Sequence, residues 1–258
     1  MVRTLLIHGM IVGFVAGLLV FGFARIFAEP QVDRAIAFET AMNEARVEAD
    51  AARGIHDRED PALVSRPLQA SYGLLTGVMV YSTAFGGLFA LVFAFAHGRV
   101  TAAGPRAVSA LLGLAGFIAF YVVPNLKYPA NPPSVGHPDT IGMRTELYFV
   151  MLAASVAAMA GAASLRTHLA PRHGAWSAAL MAAAFYGVSV AVVAAVLPSV
   201  NEVPVNFPAV LLWDFRIDSL AMQAIMWATL GLGFGVLAEK AVSAGMHRSN
   251  RRINTVWR

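Results

Sequence analysis

Apolar positions in this chain fall into six long runs separated by polar breaks that are mostly short, at about residues 5–28, 71–96, 106–123, 147–165, 175–197 and 219–238. Apolar runs of roughly 18 or more residues, wound as helices, match the thickness of a bilayer's hydrocarbon core. The pattern predicts an all-α membrane protein of about six transmembrane helices, forming a single polytopic domain over residues 1–258. The third run is barely long enough, and the sixth carries Gln223 and Gly231, Gly233 and Gly235, so five spans is the alternative. The first run could be mistaken for a secretory signal, with Arg3 ahead of it and Ala28 at its end. Its length and the bulky Ile26 before that end argue for a retained span.

Glycines at four-residue spacing, Gly9, Gly13 and Gly17, then Gly73 and Gly77, then Gly231 and Gly235, predict close helix crossings and a compact bundle. Gly86 and Gly87 are also expected to be packing positions. The longest polar segment, 29–70, is expected to be periplasmic and partly helical. Pro30 suits a first helical turn, and Ile36, Phe38, Met42 and Val47 give an imperfect apolar stripe that Gly54 stops. From Gly54 to Pro67 the chain reads as an exposed, turn-rich return. Two later connections echo each other, one from Pro124-Asn125 to Pro132-Pro133 and one from Pro198 to Pro208. Both leave the bilayer through proline and asparagine, which suits irregular segments lining a mouth or re-entering the membrane.

Charge gives these spans a direction. Only 13% of the 258 residues are charged and 58% are hydrophobic, with a formal net charge of +4. With the N-terminus inside, the inner segments hold Arg3, Arg99, Arg106, Arg166, Arg172, Lys240 and the basic tail at 239–258, with Glu239 as their one acid. The outer connections then hold the remaining carboxylates, so the retention of Lys and Arg in the cytoplasm favours an N-in, C-in chain with an acidic outer face. Six spans satisfy that split and five do not. The basic residues form no stripe with interleaved aromatics, which argues against nucleic acid as a partner.

Cysteine is absent, which removes disulfides, thiolate metal sites and thiol catalysis. No His-Glu-x-x-His pair, Gly-x-Ser-x-Gly elbow or phosphate-cradling loop occurs, and no paired acids lie at membrane depth. The chain therefore reads as a non-enzyme. His8, early in the first span, is either a headgroup-level side chain bonded to a neighbour or an intramembrane polar group. His168 and His173 flank Arg172 as polar residues of the inner side. His137, Asp139 and Glu146 combine imidazole and carboxylate just outside the membrane, a donor set suited to a divalent first-row cation. Asp139 capping the fourth helix, with Glu146 in its first turn, accounts for them equally. Trp213 to Asp218 reads as an interfacial anchor with a salt-bridged helix start, whereas Asn201 and Glu202 follow a span directly without an obvious partner.

Several motifs together resemble the probable cobalt transporter subunit family, CbtA, nearly end to end. They are Glu-Pro-Gln-Val-Asp-Arg-Ala-Ile-Ala at 29–37, Leu-Leu-Thr-Gly-Val at 74–78, Gly-Gly-Leu-Phe-Ala-Leu-Val-Phe-Ala at 86–94, Lys-Tyr-Pro-Ala-Asn-Pro-Pro at 127–133, Pro-Asp-Thr-Ile-Gly at 138–142 and Asn-Glu-Val-Pro at 201–204. The resemblance implies a bacterial inner-membrane protein for cobalt uptake linked to cobalamin synthesis, beside a small single-span, histidine-rich (CbtB-like) partner. It is usually described with five spans, where the charge pattern here argues for six. The resulting expectation is that Glu29, Asp33, Asn131, His137, Asp139, Asn201 and Glu202 form or feed a capture site for a divalent cation. Co²⁺ is then cargo, and no cofactor is expected. The rival reading is a non-transporting accessory subunit whose outer loops dock a partner.

Overall fold

The computed structural model of the chain describes residues 2–53, 64–99 and 103–244. Among them there is no strand, and five helices are long and apolar enough to cross a membrane: α1 (Val2–Ala51), α2 (Arg66–Ala96), α3 (Pro105–Lys127), α4 (Pro138–Val196) and α5 (Ala209–Ala244). The chain is a multi-pass membrane protein.

Helices α1 and α2 form the tightest pair because their facing residues are small. A Cβ on Gly9 would stand 2.2 Å from the Gly86 carbonyl oxygen, and one on Gly13 would stand 2.3 Å from that of Ser82. The second pair, α3 and α5, meets at Gly113 and Gly231, where the Ser109 hydroxyl donates to the Gly231 carbonyl at 2.6 Å. Between the pairs lies a core of Leu5, Val12, Phe89, Phe93, Met226, Trp227, Leu230 and Phe234. Phe234 meets Phe93 and Phe89 edge-on at centroid distances of 5.2 and 5.5 Å. The Gly73 and Gly77 expected at a crossing are not at one: a Cβ on Gly77 would meet nothing within 4 Å. Their helix packs instead through Gly86. His8 is half-buried, and its Nδ1 has no hydrogen-bond partner among the described residues. Beyond the core, at the far end, Arg106 pairs with Glu239 at 2.7 Å.

Several helices outrun their predicted limits. At about 1.5 Å per residue the 50 residues of α1 reach about 75 Å, more than twice a hydrocarbon core. No break separates its span from the expected loop helix, because the chain accommodates Pro30 within the helix. The Glu29 N–H bonds back to the Ala24 carbonyl, widening the helix into a π-type turn ahead of a proline that has no N–H to give. The same device precedes Pro124, where Val123 N–H reaches Ile118, so α3 continues to Lys127 and does not end at the proline. Helix α1 ends at Ala51; the stop at Gly54 and residues 54–63 of the expected return lie outside the described residues, as does the tail beyond Ala244. Helix α5 begins at Ala209, so Trp213 to Asp218 lie within it and are not a connection.

The fourth helix is interrupted. Gly174 takes φ 78° and ψ 160°, a conformation open to glycine and strained for other residues. The two arms fold back on each other, the Ser155 and Tyr186 hydroxyls meeting at 2.8 Å and the Phe185 ring seated over Gly161.

Candidate functional site

The connections that sequence places outside the membrane converge at one end of the bundle. Their apolar contacts form a small second core of Ala35, Val135, Phe207 and Leu211, with Phe38 edge-on to Phe207 at 5.1 Å. The two proline- and asparagine-rich connections are tied directly to each other. The Tyr128 hydroxyl donates to the Pro198 carbonyl at 2.8 Å and Lys127 Nζ to the Ser199 hydroxyl at 3.2 Å. Asn125 Oδ1 accepts from the Ala130 N–H at 3.0 Å, fixing the exit from α3. Proline lowers the entropy lost in holding such irregular backbone, and asparagine supplies the bonds that regular structure would have made.

Glu202 is the strut of this mouth. Its side chain is 13% exposed, and Oε2 accepts from the His137 N–H at 2.7 Å and the Thr140 hydroxyl at 2.8 Å, with Arg144 Nε at 3.5 Å. These donors, the His137 N–H foremost, hold the Glu202 carboxyl below the usual carboxylate range. Arg144 Nη2 donates to the His137 carbonyl at 3.3 Å. Gly136 passes directly beneath that guanidinium. Its φ is 111°, and a Cβ there would stand 2.1 Å from Arg144 Nη1, so both the backbone and the space call for glycine.

From α5, Arg216 crosses to the other loop, donating through Nε to the Ala130 carbonyl at 3.2 Å and through Nη2 to Asn131 Oδ1 at 2.9 Å. It makes no ion pair among the described residues, so the expected salt-bridged helix start is instead a clamp on the loop. Between these groups lies a cavity of about 340 Å³, lined by Asn131, Arg144, Tyr148, Asn201, Glu202 and Arg216 among others. Tyr148 stands in the cavity wall. Of the tyrosines on the neighbouring helices, Tyr121 is buried with its hydroxyl unpartnered among the described residues, and Tyr81 is exposed.

The predicted capture residues divide. Asn131, Asn201 and Glu202 share the cavity, and His137 reaches it through its backbone N–H while its side chain lies exposed. Asp139 lies exposed on the turn Pro138–Thr140 and makes no cap hydrogen bond to that turn or to α4, which removes the capping explanation for it. Glu29 and Asp33 sit apart on α1, both held by Arg66, which donates to Asp33 Oδ1 through Nε at 3.0 Å and pairs with Glu29 through Nη2. Among the described residues no three His, Asp or Glu side chains come together to hold a metal ion. Sequence reasoning missed Arg66, Arg144 and Arg216. Each stood in the sequence as a cation in an acidic outer segment, which is a signal for internal neutralisation.

No curated protein and no solved structure matches the chain. A family model described as probable cobalt transporter subunit (CbtA) matches residues 2–239, which covers α1 to α4 and all but the last turn or so of α5. The motifs that line the mouth fall inside that match, and the description as a subunit implies a partner. The chain belongs to the CbtA family of probable cobalt transporter subunits.

Proposed function

We propose that this chain is the membrane-embedded subunit through which a divalent transition metal, Co²⁺ foremost, enters a bacterial cell to supply cobalamin synthesis, with the mouth cavity as its entry site. The observation that carries this reading is the cavity where the two proline- and asparagine-rich connections meet, which brings Asn131, Asn201 and Glu202 together at one end of the bundle. Amide and carboxylate oxygens gathered at such an opening can replace part of an ion's hydration shell. The break at Gly174 supports counting the arms of α4 as separate crossings, giving six spans with both termini in the cytoplasm and the mouth outside. Asn131, Asn201 and Glu202 contact the cargo at the mouth, His137 and Asp139 flank it, and Glu29 and Asp33 extend the acidic approach. The chain works with a small single-span, histidine-rich partner in the inner membrane.

A second reading, an accessory subunit that docks a partner through its outer loops and moves nothing, is favoured by the family's description as a subunit. Radioactive Co²⁺ accumulation in an importer-deficient bacterium, with and without the partner, separates the two. Uptake by the chain alone, competed by Ni²⁺ more than by Mg²⁺, supports the permease. No uptake in either setting, with the protein confirmed in the membrane, overturns it in favour of the accessory subunit.

A further inference from the structure

Among the described residues, the charged side chains lining the mouth cavity are Arg144, Arg216 and Glu202, two cations against one anion. Each guanidinium carries five N–H donors and no acceptor. Hydrogen bonds to the protein occupy one donor of Arg144 and two of Arg216. Arg144 Nε is buried without a hydrogen-bond partner among the described residues, the nearby Glu202 oxygen being a salt-bridge contact at 3.5 Å. Asn131 and Asn201 add amides, Thr145 a hydroxyl and Tyr148 a phenol, so the lining is rich in donors. A bare divalent cation entering here would face two like charges and a carboxylate whose Oε2 is already bonded. The space is also generous: 340 Å³ exceeds the volume of about ten waters at roughly 30 Å³ each and falls in the range of small-molecule sites.

We propose that the cavity binds a carboxylate-bearing ligand, and that the metal arrives in it as an anionic polycarboxylate chelate and not as the bare aqua ion. The metal half of this rests on the transport reading above; the anion half stands on the cavity alone. The planar forks of Arg144 and Arg216 match carboxylates in two-point contacts that a lysine could not supply. Glu202 Oε1 makes no hydrogen bond among the described residues and is the oxygen left to complete the metal's coordination. A one-to-one complex of a divalent metal with a tricarboxylate is a monoanion, which complements the single excess positive charge of the lining.

The test uses the purified full chain in lipid-free detergent, titrated calorimetrically with citrate, with cobalt citrate, with Co²⁺ alone and with inorganic phosphate. Citrate and its cobalt complex bind, the complex more tightly; Co²⁺ alone does not; Arg216→Gln and Arg144→Gln each weaken citrate at least tenfold, and Arg216→Lys restores affinity only in part. If Arg144→Gln disturbs the Glu202 strut and fails to fold, Arg216→Gln carries the test. Absence of citrate binding to a cooperatively melting protein, or unchanged binding in Arg216→Gln, overturns the inference. So does phosphate binding as tightly as citrate, which assigns the cavity to a phosphate such as a lipid headgroup. Arginine-dependent citrate binding without cellular cobalt uptake leaves the anion site standing and removes the transport reading. Cobalt uptake unaffected by Arg216→Gln does the reverse.

Discussion

Gly136→Ala concentrates its effect on the mouth. The new methyl would stand 2.1 Å from Arg144 Nη1 and 2.5 Å from Cζ and Nη2, well inside contact distance, so the guanidinium must leave. Leaving breaks its hydrogen bond to the His137 carbonyl and its approach to Glu202. Alanine at φ 111° also carries a backbone cost of about 1–3 kcal/mol in the docked loop. With the clash outweighing the hydrogen bond that holds the guanidinium, a bias of roughly 1–3 kcal/mol against the docked loop corresponds to about 5- to 160-fold in that local equilibrium. Ligand affinity falls by up to the same factor, since it scales with the competent fraction. The assay is cobalt accumulation over a concentration series at matched membrane abundance, read as the half-saturating concentration. Gly98→Ala is the control, because Gly98 also has a positive φ of 77° but a Cβ there would meet nothing within 4 Å. The variant at 98 keeps wild-type half-saturation, whereas the variant at 136 loses it. Equal half-saturation in Gly136→Ala and wild type would refute the role assigned to Arg144.

Three further outcomes follow from the packing and charges. Gly86→Leu forces α1 from α2, since even a Cβ would stand 2.1 Å from the Gly9 carbonyl oxygen; the purified protein melts lower, by a cost of about 1–3 kcal/mol or more. Gly77→Leu, in open space, melts as wild type, and the reverse order would contradict the crossing. Arg66→Ala strands Glu29, whose side chain is 9% exposed, at a cost of roughly 2–4 kcal/mol after allowing for the partial exposure of the pair. Adding Glu29→Gln should recover part of the lost melting temperature, and no drop in the single variant would show that the pair is idle. The Glu202 carboxyl is held below its ordinary value of 4.5, so its contribution to loop docking is complete above that pH and is lost as pH falls through the folded value. Hydrogen exchange at His137 and Thr140 should be flat from neutral pH down to about 4.5, after correction for intrinsic rates, then rise with acid, and Glu202→Gln should abolish the step.

The bundle was legible because bilayer thickness imposes a minimum length on every apolar run and glycine spacing marks close crossings. Helix ends were less legible, because the rule that proline ends a helix is overridden where a π-type turn shifts the hydrogen-bond register, as before Pro30 and Pro124. Asn131, Asn201 and Glu202 line one cavity, an adjacency that the matching residue types of the two connections hinted at. It did not separate them from Glu29 and Asp33, which carry the same chemistry but are claimed by Arg66, 33 residues or more away along the chain. Pairings between charges so far apart in sequence depend on tertiary geometry that no periodicity encodes. The same limit hid Arg144 and Arg216, whose importance lies in which loops they clamp.

Metal entry at this mouth is tested most directly by the initial rate of radioactive cobalt accumulation, with the Co²⁺ supplied in citrate-containing medium, in importer-deficient cells carrying the partner and either the wild-type chain or Glu202→Gln at matched membrane abundance. The account predicts saturable uptake by the wild type, competed by Ni²⁺ more than by Mg²⁺, and a clearly lower rate for the variant. Equal rates in the two, or wild-type uptake no higher than in cells without the chain, would contradict it.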